Sequence, residues 1–172
     1  MPLWQEAMTH AKEKGSDIHL MGLLTNVGIH AHIEHLQALI ETFKKLKKRV
    51  FLHLFTDGED SPPRSALKLL EKLDGGQVAT VMGRKYAMDR NNQADLTSAA
   101  YDCLTKGSGE KAVSAEEVIQ NGYKKNLPDE AIPPAVITGK SGEPLGLVKE
   151  KDVLIFFNFR PDRVRQLAER FI

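Results

Sequence analysis

What the sequence lacks already narrows its function. It contains a single cysteine, Cys103, so an internal disulfide is excluded and a reducing, cytoplasmic setting is expected. No run of about 18 apolar residues and no signal-peptide pattern occurs, so we expect no membrane span. A formal net charge of +1 gives no overall field that would attract nucleic acid. The 172 residues fit one globular domain, which we expect to be monomeric.

Common active-site signatures are missing as well. There is no GxxxxGK[ST] phosphate loop, no GxGxxG dinucleotide loop and no GxSxG nucleophile elbow. Nothing next to Cys103 would lower its pKa, so a nucleophilic role is not expected for it. The basic run from Lys44 to Arg49 is most simply the end of a helix, where cations suit the helix dipole. Any preference for anions must therefore come from a local arrangement of side chains.

Apolar runs alternate along the chain with amphipathic segments. The pattern predicts strands at 17–24, 49–56, 77–83 and 152–159, with weaker candidates at 135–138 and 145–148. It predicts helices at 2–14, 64–73 and 91–105, another beginning at Ser114, and a closing helix that reaches Phe171. The segment RKYAMDR after the third strand is predicted to be a loop.

Two helices carry particularly clear signals. The helix after the first strand has its apolar residues on one face, namely Ile33, Leu36, Leu39, Ile40, Phe43 and Leu46. Ser114 and Glu117 have the spacing of a capping box at a helix start. Strands that alternate with such helices indicate an α/β fold, a three-layer domain whose mostly parallel, possibly mixed, sheet is flanked by helices.

Charged side chains follow four of the predicted strands. They are His30 and His32; Asp57, Glu59 and Asp60; Arg84, Lys85 and Arg90; and Arg160, Asp162 and Arg163. If the strands are parallel, these loops share the carboxyl edge of the sheet, where such folds bind ligands. Guanidinium groups grip carboxylates and phosphates with paired hydrogen bonds. The pattern therefore predicts a site for a small anionic ligand.

Other interpretations of the same residues remain open. The arginines can instead form structural ion networks with Asp60, Asp89 and Asp162. The histidines at 30, 32 and 35 invite a metal interpretation, although no carboxylate or cysteine stands at convincing ligand spacing nearby. The acidic stretch DGEDSPP can be interpreted as a magnesium site, but it lacks the spacing of a calcium loop. Packing and capping roles are more usual for such histidines.

Four stretches together carry a family resemblance. HLMGLLTNVGIHAHIEHLQALI, FTDGEDSPPRSAL, VATVMGRKYAMDR and VLIFFNFRPDRVRQL resemble the cofactor-independent phosphoglycerate mutases, specifically their inserted phosphotransferase domain. The resemblance runs from about Lys12 to the end. It implies a glycolytic isomerase that interconverts 3-phosphoglycerate and 2-phosphoglycerate through a phosphoserine, without 2,3-bisphosphoglycerate.

The resemblance also implies a division of labour. In the family, a separate domain of the alkaline phosphatase superfamily holds the serine and two manganese ions. That domain has no counterpart here, so residues 1–172 are expected to be a single substrate-binding phosphotransferase domain that holds no metal and is inactive alone. The alternative is a stand-alone, non-catalytic α/β module that binds an anion or phosphoester.

Matched residue by residue, the resemblance implies which side chains hold phosphoglycerate. They are His30, Asp60, Arg84, Arg90, Arg160 and Arg163, with Asp60 also a catalytic candidate for handling a hydroxyl proton. Such a set suits phosphoryl transfer, which depends on positioning and charge stabilisation.

The chain also departs from the family at three places. The family's Asp-Gly-Arg-Asp is here Asp57-Gly58-Glu59-Asp60, so a carboxylate replaces a substrate-facing arginine. This exchange weakens anion binding unless Glu59 turns toward a neighbouring arginine. The Ser-Asp-Gly-Gly-Val-His of the family is here the stretch 25–30, and the Arg-Trp that follows its MDR loop is replaced by Gln93 and Ala94.

Overall fold

A computed structural model describes residues 3–45 and 47–172. Its centre is a six-stranded sheet with strand order β4-β5-β3-β2-β1-β6. The strands are β1 (Ile18–Leu24), β2 (Val50–Thr56), β3 (Gln77–Gly83), β4 (Glu110–Ala112), β5 (Ala135–Ile137) and β6 (Val153–Phe156). All neighbouring pairs are parallel except β3 and β5. The prediction of a mostly parallel, mixed sheet is confirmed.

The central strands form where the sequence is apolar without interruption. Every residue of β1 and β2 is buried, which is the pattern of parallel strands covered on both faces. The edge strand β6 is only half-buried beyond Val153. The four longest strand predictions were correct in type: the bounds of β3 match, β1 and β2 each begin one residue later than predicted, and β6 begins one residue later and ends three residues earlier.

Helices flank this sheet. They are α1 (Leu3–Lys14), α2 (Ile33–Lys45), α3 (Ala66–Leu70), α4 (Arg84–Ala87), α5 (Ala94–Lys106), α6 (Ala115–Lys124) and α7 (Arg165–Ala168). The face predicted for α2 is confirmed at Ile33, Leu36, Ile40 and Phe43, which are buried, while Leu39 is half-buried. Pro2 and Leu46, which the predictions also included, lie outside the described residues.

The predicted capping box at α6 is confirmed with one difference. The Ser114 hydroxyl accepts a hydrogen bond from the Glu117 backbone N–H at 3.2 Å. The Glu117 carboxylate accepts from the backbone N–H of Val113 at 2.8 Å, one residue before the expected donor. The helix start is thus fixed from both sides.

The segment after β3 corrects a sequence prediction. RKYAMDR was predicted as a loop, but its first four residues form the short helix α4. The predicted helix at 91–105 begins only at Ala94, because the Asp89 carboxylate accepts from the backbone N–H groups of Asn91 and Gln93 and holds a turn there. Local side-chain hydrogen bonds compete with helix formation in this way.

Other corrections concern weak signals. The strand predicted at 145–148 does not form, because the backbone N–H groups of Leu145 and Val148 donate to carbonyls of two different elements, Ile137 of β5 and Leu104 of α5. The helix predicted at 64–73 shrinks to α3, and β4 was not predicted. The closing helix is broken into a 3-10 turn (Pro161–Arg163), α7 and a second 3-10 turn (Glu169–Phe171).

Cys103 is fully buried, and burial raises the pKa of its thiol to about 12, so it packs as a small apolar side chain. Across residues 3–45 and 47–172, the helices are all too short or too polar to span a bilayer.

Candidate functional site

The strands β1, β2, β3 and β6 run in the same direction, so the loops after them meet at one edge of the sheet. There they enclose a cavity of about 580 Å³. Five of the six predicted site residues line it: His30, Asp60, Arg90, Arg160 and Arg163. Arg84 lies behind them and lines an adjoining cavity of about 310 Å³.

Asp57 organises the loop after β2. One of its carboxylate oxygens accepts from the Thr25 hydroxyl at 2.8 Å, and the other accepts from Arg84 at 2.7 Å and from the backbone N–H groups of Glu59 and Asp60. Burial disfavours the charge of Asp57, but the bonds from Arg84 and Thr25 outweigh it and lower its pKa. An ionised, buried carboxylate therefore fixes the turn that presents Glu59 and Asp60.

Arg84 is held by carboxylates on several sides. Its side chain is only 3% exposed, and Nη1 donates to Asp57 at 2.7 Å and to Asp60 at 2.6 Å. Burial disfavours its charge, yet the bonds to Asp60 and Asp57 raise its pKa overall. The structural ion network that the sequence left open is thus present at Arg84. Arg84 therefore positions the acidic loop, and it also lines the adjoining cavity of about 310 Å³.

Glu59 points into the arginine cluster. Its Oε2 lies 3.3 Å from Nε of Arg84. Its Oε1 lies 3.9 Å from Nη2 of Arg90 and also 3.9 Å from Nη2 of Arg163. From the sequence, we expect anion binding to be weakened unless Glu59 turns toward a neighbouring arginine. In the structure it turns toward three arginines.

His30 is buried beside Asp60. Its Nε2 lies 3.6 Å from the Asp60 carboxylate, and its Nδ1 is buried with no hydrogen-bond partner among the described residues. Burial, helped by the charge of Arg84, lowers the pKa of His30, so the ring is neutral near pH 7. The His30 carbonyl accepts from the Phe159 backbone N–H at 3.0 Å, which ties the β1 loop to the segment that carries Arg160.

The remaining arginines differ in exposure. The side chains of Arg90 and Arg160 are 65% and 53% exposed, whereas that of Arg163 is 11% exposed. Arg160 pairs with Asp162 at 2.9 Å, as the ion-network interpretation predicted. Asp89 does not follow that interpretation, because its carboxylate accepts from backbone N–H groups. Of the three, Arg163 has the most buried side chain.

Sequence reasoning missed some residues of the cavity. Asn92, Arg165 and Gln166 also line it. Gln166 donates to the Asp89 carbonyl at 2.8 Å and so joins the α7 segment to the loop after α4. Arg165 stands two residues after Arg163, and its place in the cavity depends on the 3-10 turn that the sequence did not reveal.

Metal interpretations find no support in this geometry. Within residues 3–45 and 47–172, no three His, Cys, Asp or Glu side chains come together in a way that suits a metal ion. His32 Nδ1 accepts from the Glu34 backbone N–H, and the acidic stretch after β2 is engaged with Arg84. Four guanidiniums line the cavity beside three carboxylates, and guanidiniums suit anions.

The fold and this edge define an α/β domain with a cavity lined in part by guanidinium groups. The chain belongs to the BPG-independent PGAM N-terminus family, which it matches over residues 1–172. It is 46% identical over 179 aligned residues to the 2,3-bisphosphoglycerate-independent phosphoglycerate mutase of Chloroflexus aurantiacus, covering 99% of this chain and 33% of that protein.

Two further comparisons agree. The protein of the same name from Clostridioides difficile is 46% identical over 175 residues, with 97% of this chain and 34% of that protein covered. A crystal structure of Leishmania mexicana phosphoglycerate mutase at low cobalt concentration matches the fold with a TM-score of 0.88 at 24% identity, covering 98% of this chain and 34% of that one. The chain spans about a third of the length of the curated relatives it matches.

Proposed function

We propose that this chain is the substrate-binding phosphotransferase domain of a 2,3-bisphosphoglycerate-independent phosphoglycerate mutase, a glycolytic isomerase. The observation that carries the proposal is the convergence of Arg90, Arg160 and Arg163 with His30 on one cavity at the carboxyl edge of the sheet. The curated relatives compared above, named as such mutases, support this assignment.

In this proposal the arginines hold the charged groups of 3-phosphoglycerate or 2-phosphoglycerate. Arg163 and Arg160 approach from the segment after β6, and Arg90 approaches from the loop after α4. Charge-assisted hydrogen bonds from such groups fix the orientation of a small anion, and most of phosphoryl transfer depends on that orientation. Glycerate held here stays in place while its phosphate is carried elsewhere, and so can be returned to the other oxygen.

Asp60 is the group proposed to handle a substrate hydroxyl proton. Its carboxylate lines the cavity, accepts from Arg84 at 2.6 Å and is 19% exposed. A carboxylate in this position can accept a hydrogen bond from a substrate hydroxyl. His30, neutral beside it, is placed to orient the same hydroxyl.

The proposal places the phosphoserine and the two manganese ions in polypeptide beyond this chain. The described residues offer no group of ligands for such ions, and the relatives are about three times as long. The metals would supply charge stabilisation at the transferring phosphoryl group. A monomeric, cytoplasmic protein is part of the same proposal. A stand-alone anion-binding module would use the same site, but the names of the relatives favour the mutase.

Calorimetry with 3-phosphoglycerate tests the site. Wild type is expected to bind, and Arg160→Ala and Arg163→Ala are each expected to bind roughly tenfold or more weakly, because each loses a charge-assisted contact of about 1.5–3 kcal/mol. Arg170→Ala is the matched control, since Arg170 lies in the same C-terminal segment but lines a different cavity and stacks over Tyr101. Equal heats for wild type and both site variants would refute the proposal.

A further inference from the structure

We propose that Glu59 is an internal anion: its carboxylate occupies the guanidinium cluster formed by Arg84, Arg90 and Arg163, and an anionic ligand must displace it. This inference deepens the proposed function and rests on it for the nature of the natural ligand. It makes Glu59 a residue that sets both the affinity and the charge preference of the site.

The Glu59 carboxylate forms loose ion pairs with all three arginines. One Glu59 oxygen lies 3.3 Å from Arg84, and the other lies 3.9 Å from both Arg90 and Arg163. These arginines come from α4, from the loop after it and from the 3-10 turn after β6, so one carboxylate joins separate segments. A carboxylate or phosphate group of a ligand presents oxygens of the same kind at a similar spacing.

The Glu59 carboxylate is the replaceable member of the acidic loop. Asp57 is fully buried and Asp60 contacts Arg84 at 2.6 Å, whereas the Glu59 side chain is 42% exposed and its contacts are 3.3 Å or longer. The backbone of the turn is held independently, because Asp57 accepts from the N–H groups of Glu59 and Asp60. The side chain of Glu59 can therefore swing out while the turn stays in place.

Glu59 also stands between the two cavities of the site. It lines both the cavity of about 580 Å³ and the one of about 310 Å³, and so do Arg90 and Arg163. Among the residues that the structure describes, Glu59 is the only acidic partner of these two arginines. An anion that reaches them from either side thus competes with this single carboxylate.

The competition has a measurable consequence. With Glu59 in place, part of the attraction between the arginines and a ligand is cancelled, most strongly for ligands that carry several negative charges. Glu59→Gln removes the charge, keeps the size of the side chain and leaves Arg90 and Arg163 without an acidic partner. We expect this variant to bind small anions more tightly than wild type does.

Inorganic phosphate is the probe, titrated calorimetrically and by thermal shift at low ionic strength. Glu59→Gln is expected to bind phosphate about tenfold more tightly than wild type, a factor that corresponds to about 1.4 kcal/mol. Glu116→Gln is the matched control, because Glu116 is exposed on α6 and the exchange changes the net charge equally. Equal or weaker phosphate binding by Glu59→Gln would overturn the inference, as would an equal gain in Glu116→Gln.

A second variant covers the case in which Glu59→Gln does not fold. Glu59→Asp keeps the charge but is one methylene shorter, so it cannot reach all three guanidiniums, and a smaller gain in phosphate affinity is expected. Binding identical to wild type in that variant would likewise refute the inference.

The outcome is separable from that of the proposed function. If phosphate binding tightens in Glu59→Gln while 3-phosphoglycerate binds to none of the proteins, Glu59 is the internal anion and the mutase assignment fails. If 3-phosphoglycerate binds wild type and is lost in Arg163→Ala, yet Glu59→Gln changes nothing, the mutase assignment stands and the internal anion fails.

Discussion

At the scale of single residues, the site is built from charges that neutralise one another before any ligand arrives. Arg84 and Asp57 are both almost inaccessible to water, with side chains 3% and 0% exposed. A buried charge is tolerated only when it is paired and hydrogen-bonded. These two residues are therefore a structural pair as well as a part of the site, whereas Arg90, Arg160 and Arg163 line the cavity in front of them.

Replacement of Arg84 tests whether this arginine has a structural role that the arginines lining the cavity lack. Arg84→Ala leaves the Asp57 charge buried without its cation, and such broken pairs cost about 3–5 kcal/mol of folding free energy. Arg90→Ala, at a side chain 65% exposed, is expected to cost less than about 1 kcal/mol. Urea denaturation of both variants measures the difference. Similar losses would show that Arg84 is not structurally special, whatever it contributes to binding.

At the scale of elements, a row of polar side chains crosses the sheet. Asp152, just before β6, lies 3.1 Å from Nε2 of His19, and Nδ1 of His19 lies 2.8 Å from His53 on β2. His53 in turn contacts the Thr80 hydroxyl on β3 at 2.9 Å. The row links four neighbouring segments and pins the edge strand that leads to Arg160.

This row makes folding sensitive to mild acid. Burial lowers the pKa of His19 and lowers that of His53 well below its usual value, so both are neutral in the folded protein. The unfolded chain takes up their protons below about pH 6.5, and stability falls as the pH drops from there towards the folded pKa values, by up to about 1.4 kcal/mol per pH unit per histidine.

Chemical denaturation at pH 7, 6 and 5 measures this dependence. Wild type is expected to lose stability steadily over that range, and His53→Gln is expected to lose less, although it is less stable at pH 7. His35→Gln, at an exposed position on α2, serves as the control for a histidine lost elsewhere. Parallel pH profiles for wild type and His53→Gln would contradict the assignment of the effect to this row.

The sequence predicted the elements with long, uninterrupted patterns and failed at short ones. β1, β2 and β3 were evident because continuous apolar runs are typical of central parallel strands. The helix α4 was missed because a helix of one turn is too short to show a periodic pattern. It begins directly after Gly83, which packs so closely against the Glu130 carbonyl that a Cβ at Gly83 would lie 2.1 Å from that oxygen.

The same limit applies to the site. The loops after parallel strands were expected to converge, and their convergence followed from strand direction alone. Three features depend on contacts between segments that are far apart in the sequence. They are the hydrogen bonds of Asp57, the contact of Gln166 with the Asp89 carbonyl, and the position of Arg165 in the cavity. No local pattern encodes those contacts, and the family resemblance, which supplied the roles of Arg84 and Asp60, did not reveal how tightly they pair.

At the scale of the whole molecule, charge is balanced overall but unevenly placed. The net charge is +1, yet four arginines line one cavity at one edge of the sheet. These arginines offer local contacts to a small anion although Glu59, Asp60 and Asp162 line the same cavity, and the nearly neutral chain as a whole does not attract nucleic acid. On the proposed function the domain holds the substrate, and phosphoryl transfer needs in addition a group that accepts the phosphate.

On the proposed function, the chain by itself is expected to bind phosphoglycerate without converting it. Its one cysteine is buried with a pKa raised to about 12, and the described residues around the cavity provide no metal cluster to activate another nucleophile. An assay that couples 2-phosphoglycerate formation to enolase should stay at background for this chain at any manganese concentration, with the Clostridioides difficile mutase as positive control. Turnover that disappears in Arg163→Ala would show that these residues carry the phosphate acceptor themselves, and the division of labour between two domains would have to be abandoned.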